Sequence, residues 1–226
     1  NAMGGGVGKY NGFNTITAPT TGRHIWSSVD HTTDATLDNT DPFDLTQIDR
    51  AVELAETGGS TGLVPIRKIK GLPGGAEYVC FIHPIQGTSL RNSTSTNNWM
   101  DLQKALLNGG KGDESMIWKG GFGVYNRTLL VSNTRVPYGV DAGTGAAITT
   151  VRRAIFCGAQ ALITAYGQGF GPEEWEVNEE TFDFKRQYAM NGLNIFGFKK
   201  SVFTPPGGSA SDFATIVLSS YAANAA

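Results

Sequence analysis

Charge is what this sequence has least of. Asp, Glu, Lys and Arg together make up 17% of its 226 residues, against about a quarter in an ordinary globular domain. The formal net charge is -2, which argues against a dedicated nucleic-acid binder, because such a protein needs Lys and Arg to displace counterions from phosphates. A surface this poor in charge suits a protein that buries part of it against partners. Metal ligands are as scarce, with three His and two Cys in the whole chain, whereas a structural zinc site wants four. Cys80 and His83 are three residues apart and on a strand point to opposite faces, so no shared metal is expected and His83 reads as a strand-end residue that caps a turn. Cys80 and Cys157 lie in the apolar runs YVCFI and AIFCGA and read as buried reduced thiols. Their spacing permits one disulfide but does not demand it, and a reducing cytosol suits the chain. No apolar run is long enough to span a membrane. The start, NAMGGGVGKY, lacks the apolar centre of a signal peptide. Residues 1–3 are set aside as a tag scar, since Asn1 and Ala2 precede Met3.

What is present is an ordinary 40% of hydrophobic residues and 30 glycines. That is too apolar for a disordered chain, long enough for one large domain or two small lobes, and rich in turns and extended segments. Residues 4–43 show no helical period and would need a neighbouring surface to order them. The spacing of Leu45, Ile48, Val52 and Ala55 predicts a helix over 44–57, with Asp44 and Gln47 as a reciprocal capping pair and Gly58-Gly59 as the stop. Strands are predicted at Leu63–Lys70, with Pro65 near a sheet edge, and at Glu77–His83, apolar enough to be buried on both faces and ended by Pro84. A helix is predicted at 97–108. Phe122–Ser132 reads as a strand or two short ones. Arg152–Gly167 is long enough for a helix, but Gly158 and the Ile-Phe-Cys run favour strands joined by a short helical turn. Phe182–Met190 and Leu193–Phe203 flank Asn191-Gly192, a hairpin signal, and Phe213–Tyr221 is the last strand. The sum is α+β.

The search for chemistry finds no site. Asp30, Asp34, Asp38 and Asp41, with His31, form an acidic loop whose spacing does not match a calcium loop, and a solvated loop is expected. Glu173, Glu174, Glu176, Glu179, Glu180 and Asp183 form an acidic stretch. Two carboxylates across a cleft can hydrolyse glycosides, but these follow a loop-like GQGFGPEEW, so a solvated or inter-subunit face is expected. NGGKGDES and WKGGFGVYN lack the spacing of phosphate or dinucleotide cradles. The basic pairs Arg67-Lys68, Arg152-Arg153, Lys185-Arg186 and Lys199-Lys200 do not merge into a patch. They read as solvated, with salt bridges to an acidic neighbouring subunit as the sharper alternative.

Certain residues, in order, resemble a known family. They are Ile48-Asp49-Arg50-Ala51, Val64-Pro65-Ile66, Tyr78 through Pro84, Gln86, Leu90, Trp99 and Gln103. Gly120 through Asn126, Gly158-Ala159-Gln160-Ala161, Gly197 through Phe203 and Asp212-Phe213 follow. Over about residues 11–222 the chain is similar to the major capsid proteins of tailed double-stranded DNA phages, in the N4-like podophage subgroup. The resemblance implies the tailed-phage capsid (Johnson) fold, with axial and peripheral lobes. It places an extended segment at 4–43, peripheral-lobe-like parts at 44–62 and 176–226, and an axial-lobe-like part at 63–175, with 44–57 as the spine helix. Family members carry an N-terminal arm and an extended loop not seen here, so an N-terminal truncation is expected.

The implied function is a structural subunit of an icosahedral capsid that assembles into pentamers and hexamers around DNA. No enzymatic activity, catalytic, cofactor-binding or metal residues, or cofactor is expected. The implied partners are other copies of the chain, scaffold or decoration proteins, and packaged DNA held non-specifically, with no membrane. The implied location is the virion capsid after synthesis in the host cytoplasm. The alternatives are a phage tail or adhesion module and a glycoside hydrolase using 173–183.

Overall fold

The computed structural model describes residues 18–59, 62–93, 123–204 and 208–223. In chain order the strands are β1 His24–Trp26, β2 Tyr78–Ile82, β3 Val124–Tyr125, β4 Thr128–Ser132, β5 Tyr138–Val140, β6 Ala147–Cys157, β7 Leu162–Tyr166, β8 Glu176–Phe182, β9 Gln187–Leu193, β10 Phe196–Lys200, β11 Val202–Phe203, β12 Ser211–Asp212 and β13 Thr215–Tyr221. Helix α1, Leu45–Thr57, lies between β1 and β2, and α2, Pro84–Asn92, follows β2. The helix expected at 97–108, the NGGKGDES run and residues 4–17 of the extended segment lie outside the described residues.

Seven strands form one mixed sheet in the order β1-β13-β6-β2-β4-β3, with β5 paired to the outer part of β6. β1 runs parallel to β13 and β2 parallel to β4, and the remaining pairs are antiparallel. Because side chains alternate along a strand, the register decides the core. Ile25 faces Leu218 and Ala154, Ile216 faces Phe156, and Phe156 faces Cys80. All six sit on one face and join α1's Ile48, Ala51, Val52 and Ala55 and α2's Leu90 in a single buried cluster. Tyr78 packs on Phe156 with ring centroids 5.0 Å apart. The opposite face carries Val217 with Ile155 and Ser219 with Arg153, and these too are buried.

α1 forms where its apolar stripe predicts. Asp44 accepts the Gln47 N–H at 3.1 Å, but the Gln47 side chain does not reciprocate. It donates to the Ser219 carbonyl at 2.9 Å and so ties the helix to β13. Gly58 closes the helix at φ 74°, a left-handed position natural to Gly. The expected strand at 63–70 is corrected to an irregular strap. Its backbone-to-backbone bonds are isolated ones, Ile66 N–H to Ala55 O, Ile69 N–H to Glu77 O and Ala159 N–H to Arg67 O, and Pro65 has no N–H to start a ladder. Pro84 does end β2, but it also opens α2, which the sequence pattern did not reveal because nine residues containing Gly87 carry too little stripe. His83 does cap: its Nδ1 accepts the Ile85 N–H and Gln86 closes the box on the His83 N–H.

Of the strand expected at Phe122–Ser132, the described residues 123–132 form two short strands, β3 and β4. The 152–167 stretch is strand, turn, strand without a helical turn, and β6 begins earlier, at Ala147. Asn191-Gly192 is not a turn. Both lie inside β9, where Asn191 pairs Asn178 and Gly192 pairs Val177. The chain reverses instead at Asp183, Phe184 and Lys185, with φ of 52°, 53° and 68°, a non-glycine left-handed run that no turn rule flags.

Candidate assembly surface

The acidic loop is not solvated as expected. Asp34 is buried on the second face of the sheet, where its carboxylate meets Arg153 Nε at 2.6 Å, Trp26 Nε1 at 3.1 Å and the Val140 N–H at 3.0 Å. Asp41 is also buried and lies 2.9 Å from His31. Only Asp30 and Asp38 face water. Two basic pairs depart from the solvated expectation for the same reason, that a buried charge needs a partner. Arg152 lies with its guanidinium 3.6 Å over the Tyr138 ring and donates to the Val136 carbonyl, and Lys200 is held by Asp212 at 2.9 Å. Lys68 bridges Glu77 and Glu56 at 2.7 and 3.3 Å, while Arg67 meets Gln160 at 3.2 Å. Lys185 and Arg186 are exposed as expected.

The fold also brings together a Ser, a His and an Asp that sequence spacing hid, since Ser219 lies 195 residues from His24. His24 Nε2 is 2.7 Å from Ser219 Oγ and 3.5 Å from Asp34 Oδ1. A nucleophilic triad needs its carboxylate on the other ring nitrogen. Here both partners meet the same atom, and Ser219 is buried in the middle of the sheet, so the group works as a structural staple. Burial pushes the His24 pKa down to about 4 against the opposing pull of Asp34, and Arg153 pushes it the same way. Burial would raise the Asp34 carboxyl, but Arg153, the Val140 N–H, His24 and Ser219 hold it below its ordinary value. Cys80 and Cys157 are free thiols, and burial raises both, Cys157 to about 12, so they are inert core groups. Among the described residues no three His, Cys, Asp or Glu side chains are placed to hold a metal.

The feature without a partner is on the surface. β8 and β9 pair over seven register positions into an arm in which every residue is exposed. β7 is likewise exposed throughout and pairs β10. In an antiparallel ladder directly opposed residues share a face, so Val177, Tyr188 and Met190 form an apolar stripe on one face of the arm, with Glu179 accepting the Tyr188 hydroxyl. Phe184, at the tip, is 98% exposed. Trp175 stands exposed at the root, and Ile163, Phe196 and Phe203 add to the uncovered apolar surface. An isolated two-stranded ribbon is marginal in water, and apolar surface on this scale marks an interaction site. All six residues of the acidic stretch lie exposed along this arm and its lead-in. The charges are visible in the sequence, but the apolar stripe is not, because Val177 meets Tyr188 and Met190 on one face only through the register of β8 against β9.

A profile of the family described as phage capsid protein matches residues 1–224. The chain belongs to the phage capsid protein family. The capsid of Ralstonia phage GP4 is similar in structure, with a TM-score of 0.65 and 26% identity over 98% of this chain and 61% of that one. The phage capsid chain described here thus spans 61% of the length of that relative. No protein with a curated description matches it. The mixed sheet with few helices among the described residues agrees with the capsid likeness.

Proposed function

We propose that the chain is a non-enzymatic shell subunit that self-assembles into pentamers and hexamers, which close into an icosahedral capsid around DNA. The observation that carries this reading is the exposed arm of β8 and β9. A finished monomer leaves few such surfaces uncovered, whereas a tile that meets its copies by heterologous contacts needs them, and such contacts close into rings when the rotation allows. Against the hydrolase alternative, Glu176, Glu179 and Glu180 stand on an open ribbon, opposite Leu193, Met190 and Ala189.

On the same reading the architecture is the α+β tailed-phage capsid fold of the N4-like subgroup. Residues 44–62 and 176–226 belong to a peripheral part and 63–175 to an axial part, the last strand returning to pair β6. Scaffold or decoration proteins and non-specifically held DNA are its other partners, and the subunit is made in the host cytoplasm before joining the virion. No residue of the chain acts as a catalytic, cofactor or metal group. The test is electron microscopy with sedimentation on the chain in its full natural reading frame. Closed shells or rings of five and six are expected. A monomer or trimer that persists at every salt and crowding condition overturns the proposal.

A further inference from the structure

The segment that leads into the arm sets one aromatic ring among charges of a single sign. Glu173, Glu174, Trp175 and Glu176 are consecutive and all exposed, Trp175 to 63%. None of the three carboxylates has an ion pair among the described residues. The turn that presents them is pinned. The Glu174 N–H bonds the Gly171 carbonyl, and Asn194 Nδ2 donates to the carbonyls of Gly171 and Glu174 at 3.2 and 2.9 Å. Trp is among the side chains most enriched as interface anchors.

The opposite chemistry lies on the strap. Pro65, Ile66 and Tyr78 line an open groove of about 560 Å³ whose charged rim is Glu56, Arg67, Lys68 and Lys70. The buried Tyr78 hydroxyl has no hydrogen-bond partner among the described residues, a polar atom left open in the single copy. Lys68 and Arg127 are balanced by Glu56 and Glu77 through four ion pairs. Arg67 and Lys70 are exposed, and Arg67 meets only the neutral Gln160. Four cations thus face two carboxylates, a surplus of two. Glu53, the next acid on α1, lies a turn before Glu56, and the strap leaves that helix beyond Lys68, where the Ile69 N–H bonds the Glu77 carbonyl.

We propose that Trp175 of one copy seats in the strap groove of the next, with Glu173, Glu174 and Glu176 set against Arg67 and Lys70. This deepens the shell-subunit reading and rests on it. A single copy cannot make the contact with itself. Arg67 and Ser201, at the foot of β10, both hold Gln160, so the strap lies at the foot of the β7–β10 ribbon. Five register pairs carry that ribbon from Leu162 to Tyr166, about 13 Å at about 3.3 Å a step, and Trp175 is held beyond its far end. The two surfaces differ, so the contact is heterologous, and its repetition closes a ring when the rotation allows. Opposite charge fixes which faces meet, and cations beside an indole are attracted to its ring face. One aromatic side chain buries about 150–250 Å², far below the roughly 800 Å² per partner of a stable complex. The contact is weak between two free subunits and gains strength when each gives one and receives one alongside other contacts.

The test is carbodiimide coupling, which joins a lysine amine to a carboxylate it touches. Isotopically light and heavy chains, each in the full natural reading frame, are mixed before assembly and the products read by mass spectrometry. Amide links from Lys70 to the 173–176 segment that join light chains to heavy ones are expected, and such links found only inside single chains overturn the docking. In parallel, Arg67→Glu with Lys70→Glu is expected to lower shell yield about tenfold through like-charge contact. Glu173→Lys and Glu174→Lys added to it are expected to restore the yield, and a yield that stays low overturns the charge pairing. Because these residues are exposed, circular dichroism should show every variant folded. Shells that form at full yield in the charge-reversed variant, with no light-to-heavy link, overturn the docking and leave the shell reading standing. Light-to-heavy links in a chain that never forms capsomers or shells uphold the docking and overturn the shell reading.

Discussion

Asp34 gathers Arg153, Trp26, Val140 and His24 around one buried carboxylate and so binds the 24–41 segment to β5 and β6. Breaking a buried ion pair leaves the other charge without its partner and costs about 3–5 kcal/mol. Asp34→Asn should lower stability by that amount in urea unfolding, and a loss near zero would mean the cluster is not what anchors the segment. The same cluster sets an acid limit. Folded His24 resists protonation until about pH 4, whereas an unfolded His takes a proton near 6.5. Between those values the unfolded chain binds more protons, so stability falls as pH drops through that window, by about 3 kcal/mol from His24 alone. Asp34's contribution, with its folded pKa depressed, persists lower still and is lost only as pH falls through that depressed value. Urea midpoints from pH 7 to 4.5 should show the slope, and His24→Gln should flatten it. An unchanged slope in the variant would assign the acid sensitivity elsewhere. Gln86 is a neutral counterpart: fully buried, it holds the His83 N–H, the Arg152 carbonyl and Ser220 Oγ. Gln86→Ala strands these groups and should cost about 1–3 kcal/mol, read from the same unfolding curves.

Among the elements, α1 offers a paired comparison of its two ends. Asp44→Ala removes one N-terminal cap and should cost about 1 kcal/mol. Gly58→Ala should cost more, because the residue sits at φ 74° and its new Cβ would fall 1.9 Å from the Leu63 carbonyl oxygen. Equal losses in thermal melts would show that the strap at 63–66 yields to the added methyl. α1 is legible because its apolar residues repeat at the helical period, and β2, β4 and β13 because short apolar runs end at Pro or polar residues. The errors came where structure is decided by distant contacts. Nothing local tells Asn191-Gly192 that the strand continues through it, and nothing near Asp34 announces Arg153, 119 residues away. The same holds for the surface: the acidic stretch could be read from its letters, but its apolar stripe appears only once the register of β8 against β9 is known.

Over the whole molecule, protection should follow the sheet. β6 and β13 are flanked and buried on both faces, whereas among the described residues β8 and β9 pair only with each other, so amide exchange should be slowest at 151–157 and 215–221 and fastest at 176–193. An arm that exchanges as slowly as β6 in the isolated chain would mean it already has cover. β13 is made after the arm and yet lies between β1 and β6. At about 5–20 residues per second, the ribosome exposes the arm before the strand that completes the core. Nascent chains on one messenger therefore carry tacky ribbons on bodies that cannot yet hold their shape, and β13 acts as a clock that sets when the core beneath the ribbon is complete.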